Sequence, residues 1–215
     1  MLIVLGTHNQ KKGIELRQLL EPLGFALKTL ADIEDTIEVV EDGDSFTANA
    51  RLKASQQALH LGEWVLGEDS GLCVDALGGA PGIYSARYSG EGATDESNNA
   101  HLLRELDGVP AEKRTAHYVC HMSLSDPTGN VRIDFEETCR GRILDAARGS
   151  SGFGYDPLFE IPEYHKTFGE LGMAVKSVLS HRSRAVRGFI PRLLALPEFA
   201  NALRGQVAND HPVSS

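Results

Sequence analysis

Cysteine is scarce in this 215-residue chain: Cys73, Cys120 and Cys139 stand far apart, with no C-x-x-C pair. That spacing excludes a disulfide framework and a zinc ribbon, and suits free thiols in a reducing compartment. Basic residues are outnumbered, 21 Lys and Arg against 30 Asp and Glu, leaving a net charge of −9. A surface of that sign disfavours a general grip on nucleic acid, whose phosphates need a basic face. It leaves a nucleotide substrate open, because a divalent cation and a few lysines can offset phosphate locally. Long apolar runs are missing too: none approaches the ~20 residues of a membrane-spanning helix. The N-terminus has neither the basic start nor the cleavage pattern of a signal peptide. The expected location is the cytoplasm, with no membrane and no nucleic acid as partner.

What is present begins with Leu2-Ile3-Val4-Leu5, continuously apolar as in a strand covered on both faces. After Gly6-Thr7-His8-Asn9-Gln10-Lys11-Lys12, the positions Leu16, Leu19, Leu20 and Leu23 predict a helix stopped near Pro22 and Gly24. Lys12 falls in its first turn, where free N–H groups attract anions. The Walker spacing is absent, so this turn taken alone reads as a plain strand-to-helix connection ahead of a phosphate site. Phe25 to Leu30 and Ile37 to Val40 are expected strands. Ser45 is the expected N-cap of a helix from Phe46 to Leu61. Ala50, Ala54 and Ala58 give that helix a small-residue stripe for close packing, while Asn49 and Lys53 share another face.

Residues 77–90 read as a compact ordered loop. A helix from Asp95 to Leu106 and paired strands from Thr115 to Leu124 and Val131 to Thr138 follow. His117 and His121 share a strand face without a third ligand nearby, which indicates structural roles. Phe153, Gly154, Tyr155 and Asp156 lie in a glycine-rich turn whose aromatics offer a platform for a flat ring. Leu171 to Val178 reads as a helix carrying Lys176, and Ser180-His181-Arg182 opens the last helix. Pro191 inside that last pattern predicts a kink or split.

Gly67-Glu68-Asp69-Ser70-Gly71-Leu72 separates two apolar runs, 64–66 and 72–74. Glycines on both sides of two adjacent acids read as a polar turn at a strand end. The acids repel each other unless a metal ion, a Lys or Arg, or a shared proton intervenes. Glu41, in the acidic turn before Ser45, reads equally as helix capping. Taken together, the Lys12 turn, the acids Glu41, Glu68 and Asp69, the Phe153–Tyr155 platform and the His181-Arg182 helix start suit a Mg2+-bound nucleoside triphosphate.

The same positions resemble a known family, the inosine triphosphate pyrophosphatases. The resemblance rests on Thr7-x-Asn9-x-x-Lys12, Phe46-x-x-Asn49-Ala50-x-x-Lys53-Ala54, Asp69-Ser70-Gly71-Leu72, the long run Gly78 to Tyr88, Gly152-Phe153-Gly154-Tyr155-Asp156-Pro157, and Lys176 with Ser180-His181-Arg182. These motifs span nearly the whole chain in family order. The chain departs from the family pattern at His8, at Ala48 and at Ala174-Val175, while the key charged positions remain filled.

The resemblance implies an α/β fold, an elongated mixed sheet with flanking helices in two lobes around a central cleft, and a homodimer. It places a single two-lobed catalytic domain over residues 1–204, followed by a polar tail at 205–215. It implies hydrolysis of non-standard purine nucleoside triphosphates (ITP, dITP, XTP) to monophosphate and pyrophosphate, with Mg2+ as cofactor. Asp69 would be general base and metal ligand, with Glu41 and Glu68 completing the Mg2+ site. The substrate-binding set would be Thr7, His8, Asn9, Gln10, Lys11, Lys12, Lys53 and Ser70 on the phosphate side. On the base side it would be Phe153, Gly154, Tyr155, Asp156, Lys176, His181 and Arg182. Donors from Arg182 facing the C6 oxygen would reject adenine, since mispaired buried polar groups are costly.

Overall fold

The apolar run at the N-terminus forms β1 (Leu2–Gly6), and β2 (Ala26–Thr29) and β3 (Trp64–Val74) lie parallel to it on either side. Beyond β3 the sheet turns antiparallel through β4 (Thr115–Ser125), β5 (Val131–Ile143), β6 (Phe159–Ile161) and β7 (Lys166–Thr167). The order is β2-β1-β3-β4-β5-β6-β7, a mixed α/β sheet. The helices that flank it include α1 (Gln10–Leu20), α2 (Phe46–Leu61), α3 (Asp95–Glu105), α4 (Phe168–Leu179) and α5 (His181–Ala195). The computed structural model describes residues 1–200, and the 205–215 tail lies outside them. No helix among the described residues is long and apolar enough to cross a membrane.

Strand alternation assigns β3 two different neighbours. Trp64 and Leu66 join Leu16 of α1 and Phe189 of α5 in one apolar cluster, while Val65 meets Ala58 of α2 on the other face. The alanine stripe of α2 sits where β3 has no side chain. A Cβ on Gly67 would come within 2.7 Å of the Ala54 backbone nitrogen and closer still to the Ala50 carbonyl. On the α1/α5 face a second apolar cluster begins with Leu72 and Val74, joined by Leu102 of α3 and Phe168 of α4. Between the two clusters that face carries only Glu68 and Ser70.

Gly67 to Leu72 is therefore not a turn. β3 runs unbroken through it, paired with β4 from Val65↔Ser125 to Val74↔Ala116. The ladder satisfies the backbone, and the glycines serve close approach: a Cβ on Gly71 would lie 2.5 Å from Ser85 Oγ, which accepts a hydrogen bond from Leu72 N at 2.9 Å.

Other differences have local causes. Residues 37–40 form no strand; Gln57 of α2 brackets Ile37 instead, donating to its carbonyl and accepting from its N–H. β5 extends to Ile143, five residues past the expected end, because its alternate residues face solvent and dilute the apolar signal. α5 runs through Pro191 undivided, whereas α4 bends at Gly172 (φ 76°, ψ 170°). Ser45 caps α2 as expected, accepting from Ala48 N at 3.2 Å. His121 contacts Thr47, Asp134 and Glu136, and His117 lies 3.8 Å from Asp75, in keeping with structural roles.

Candidate functional site

β1 ends at Gly6, opposite Gly67, so from Glu68 onward β3 has no strand on that side until Pro81 bridges to Cys73. The first turn of α1 closes over this free edge. Thr7 Oγ1 accepts from Asn9 N at 3.1 Å, and Asn9 Oδ1 caps the helix by accepting from Lys12 N at 3.1 Å. The rim separates two solvent-open cavities, about 620 Å3 on the α1/α5 side and about 950 Å3 on the α2 side. Asn9, Lys12, Ser70 and Ala86 border both. Because the two are open to solvent and share these four residues, one elongated ligand can lie across the edge and reach both.

The α2-side cavity gathers the acids and lysines. Lys53 Nζ lies 2.8 Å from Glu41 Oε2 and 3.0 Å from Asp69 Oδ1, while Asn49 Nδ2 donates to Asp69 Oδ2 at 3.3 Å. Burial would lower the Lys53 pKa, but Asp69 and Glu41 outweigh it and raise the pKa, keeping the ammonium charged. Asp69 is 7% exposed, and burial raises its carboxyl above the ordinary value despite the pull of Lys53 and Lys12. Two carboxylates converging on one cation form a hard oxygen donor pair, which suits Mg2+ held by one or two carboxylates with phosphate oxygens completing its shell. Among the described residues no group of three or more His, Cys, Asp or Glu could hold a metal ion.

Glu68 is not part of that pair. Adjacent strand residues point to opposite faces, so Glu68 is buried on the α1/α5 side, with Oε1 3.1 Å from Arg182 Nη2 and 3.4 Å from Cys120 Sγ. Lys12 Nζ lies 3.1 Å from its Oε2, off the line a hydrogen bond needs. Burial would raise its pKa, yet Lys12 and Arg182 together hold it well below the carboxylate range. Of the three expected acids, only Glu41 and Asp69 therefore converge, and Glu68 faces the α1/α5 side.

The α1/α5-side cavity holds the ring platform. Phe153 is half-buried between Gly152 (φ 81°) and Gly154 (φ 61°), and its N–H donates to Asp156 Oδ2 at 2.9 Å. Lys176 lies 2.6 Å from the same oxygen and 4.1 Å from the Phe153 ring centroid. Burial raises the Asp156 pKa against the effect of Lys176. Arg182 is fully buried: Nη2 donates to Ser70 Oγ at 3.0 Å, and Nη1 pairs with Glu15. Burial and the neighbouring Arg182 charge push His181 well below its ordinary pKa, so it is neutral, stacked 4.5 Å from Tyr118.

Several expected contacts have other occupations. Tyr155 lines the cavity but donates its hydroxyl to Ser85 O at 2.8 Å, so its ring borders the site while its polar end serves the fold. Lys11 pairs with Asp95 at 2.8 Å. His8 is exposed at the α2-side cavity, and Gln10 borders neither cavity. Glu15, unsuspected from the sequence, bridges Arg182 and, at 2.9 Å, Lys176. Its signal was a carboxylate beside Leu16 on the buried face of α1. Tyr118 gave no signal beyond that of an aromatic in a strand.

The Ham1 family model matches residues 3–192. The chain belongs to the Ham1 family. It is 61% identical over 194 residues to a dITP/XTP pyrophosphatase of Rhodopirellula baltica, covering 90% of this chain and 93% of that protein. The fold matches the Staphylococcus aureus Ham1 protein with a TM-score of 0.79 at 36% identity, over 88% of this chain and 96% of that one. It also matches the nucleoside-triphosphatase/dITP/XTP pyrophosphatase of Mycobacterium abscessus, with a TM-score of 0.73 at 39% identity, over 89% and 100%. The motif resemblance and the mixed α/β fold are borne out, and the free edge of β3 is where this Ham1 chain concentrates its polar groups.

Proposed function

We propose that the protein hydrolyses non-standard purine nucleoside triphosphates, dITP, ITP and XTP, to the monophosphate and pyrophosphate with Mg2+ as cofactor. The observation that carries this reading is the pair of cavities meeting at Asn9, Lys12 and Ser70. One offers an aromatic face ringed by cations, the other lysines and two convergent carboxylates. The base would lie against Phe153 and the phosphates would run past Lys12 toward Lys53. Glu41 and Asp69 would hold Mg2+, which when bound offsets phosphate charge. Asp69, its carboxyl raised by burial, is suited to take the proton of the water attacking the α-phosphorus. Lys12 and Lys53 then stabilise charge that builds on the phosphate oxygens.

Neutral His181 and charged Arg182 line the base cavity, and donors from them would favour a ring that presents oxygen at C6. An adenine amino group there would face donors with nothing to accept. The relatives' names support two of these substrates, dITP and XTP. The test is pyrophosphate release with Mg2+ from dITP, ITP and XTP against ATP and GTP, repeated with chelator. Strong preference for the first three, lost on chelation and restored by Mg2+, is expected. Equal rates on all five would overturn the reading. The protein is further expected to be a homodimer in the cytoplasm.

A further inference from the structure

α3 brings only Asp95 and Asn98 to the edge of the ring-side cavity, yet its first turns grip the segment that carries the ring platform. Asn99 Nδ2 donates to the Gly154 carbonyl at 2.9 Å. One turn earlier, Asp95 lies against the Gly154 N–H and also pairs with Lys11 of α1 at 2.8 Å. The two sides of the Gly154 residue are therefore held from one helix face, since positions four apart are neighbours. Asn99 Oδ1 is buried without a hydrogen-bond partner among the described residues, so the Gly154 carbonyl is what its amide engages there. A Cβ on Gly154, at φ 61°, would meet nothing within 4 Å, so no side-chain packing at that position helps to fix the peptide.

We propose that Asn99, with Asp95 beside it, is a positioning residue that fixes the Gly154 peptide and through it the Phe153 ring against which the base stacks. This rests on the function proposed above. Asn99 borders neither cavity and acts only through the turn. Elsewhere the turn is held by the Asp156 carboxylate on Phe153 N–H, by Asp156 N–H on the Phe153 carbonyl at 3.3 Å and by the Tyr155 hydroxyl on Ser85 O, while α3 reaches the Gly154 peptide itself. With the α3 anchor gone, the ring keeps its attachment but loses its tilt, so base affinity falls while the phosphate site is untouched.

The experiment compares wild type with Asn99→Ala, Asn99→Asp, Asp95→Ala and Asp95→Asn. It measures KM and kcat for dITP hydrolysis, and the affinities for IMP and for inorganic pyrophosphate. Losing one buried hydrogen bond predicts about a tenfold rise in KM and in the Kd for IMP for Asn99→Ala, with kcat and pyrophosphate affinity little changed. Asn99→Asp has the same shape but sets an acceptor against the carbonyl, so its KM rises at least as far. Asp95→Asn retains an acceptor for Gly154 N–H and stays nearer wild type than Asp95→Ala. Wild-type KM and IMP affinity in both Asn99 variants would overturn the positioning role. So would equal losses of IMP and pyrophosphate binding, the mark of general damage. Failure of the wild type itself to hydrolyse dITP or bind IMP would instead overturn the function on which the role depends.

Discussion

Gly67→Ala tests whether the packing of α2 on β3 sets the position of Lys53, proposed to bind the phosphates. The new methyl would sit 2.7 Å from Ala54 N and nearer to the Ala50 carbonyl, both backbone atoms of α2. Ordinary carbon contacts start near ~3.5 Å, and a helix backbone cannot rotate away, so α2 must retreat by about 1 Å. Overpacking of this kind costs about 1–3 kcal/mol, and the rigid neighbours place Gly67→Ala toward the upper end. The same retreat carries Lys53, whose Nζ now lies 3.0 Å from Asp69 and 2.8 Å from Glu41. A displacement of that size at a reacting centre lowers turnover roughly 100-fold. Gly62→Ala, at the C-cap of the same helix with φ 64° and open space around it, is the control. It should lose about 1 kcal/mol from backbone strain with turnover intact. Urea unfolding and steady-state kinetics on dITP read both quantities. If Gly67→Ala unfolds within about 0.5 kcal/mol of wild type and keeps its turnover, the close-packing argument is refuted.

Asp69→Asn at saturating Mg2+ is expected to lose about 10²–10⁴ in kcat with little change in KM, and near-normal kcat would remove it as the base. Because its folded pKa is raised above 3.8, the acid limb of the pH–rate profile should begin above that value and disappear in the Asn variant. Arg182→Ala should raise dATP hydrolysis relative to dITP. It should also cost about 3–5 kcal/mol of stability, since Glu15 and Glu68 would keep buried charge with one cation fewer. Calorimetry and the dITP-to-dATP ratio report the two effects separately. For Glu68 the folded pKa is depressed, so its stabilisation is present above the unfolded value near 4.5 and lost as pH falls toward the folded one. Glu68→Gln should therefore be less stable than wild type at pH 7, and the gap should narrow toward pH 3 in urea titrations.

Much of this was legible in the sequence because local rules agreed with tertiary packing. Ser45 before Phe46, the alanines at every fourth position, and Ser180 before His181 each gave an element and its partner-facing side. The failures came where a long-range partner supplied what a local rule assumed missing. Two acids between glycines read as a turn because no cation was visible in sequence, yet Lys12, Lys53 and Arg182 arrive from three helices to serve them. Ile37 to Val40 read as a strand, but a glutamine amide from α2 took the place of a neighbouring strand. Glu15 was hidden by its spacing among leucines, and only its contacts with Lys176 and Arg182 reveal it as part of the site.

The free edge of β3 has a consequence for how the molecule can vary. Even-numbered residues from 64 to 74 answer to the ring side, odd-numbered ones to the α2 side, and Ser70 borders both. On the proposed function, recognition and hydrolysis would thus be written along one strand in opposite phase. A substitution at 68 addresses one without facing the other, and so does a substitution at 69. An insertion of a single residue before Glu68 would exchange the two carboxylates and set each against the wrong cations. The length of this strand is held as tightly as the side chains it carries.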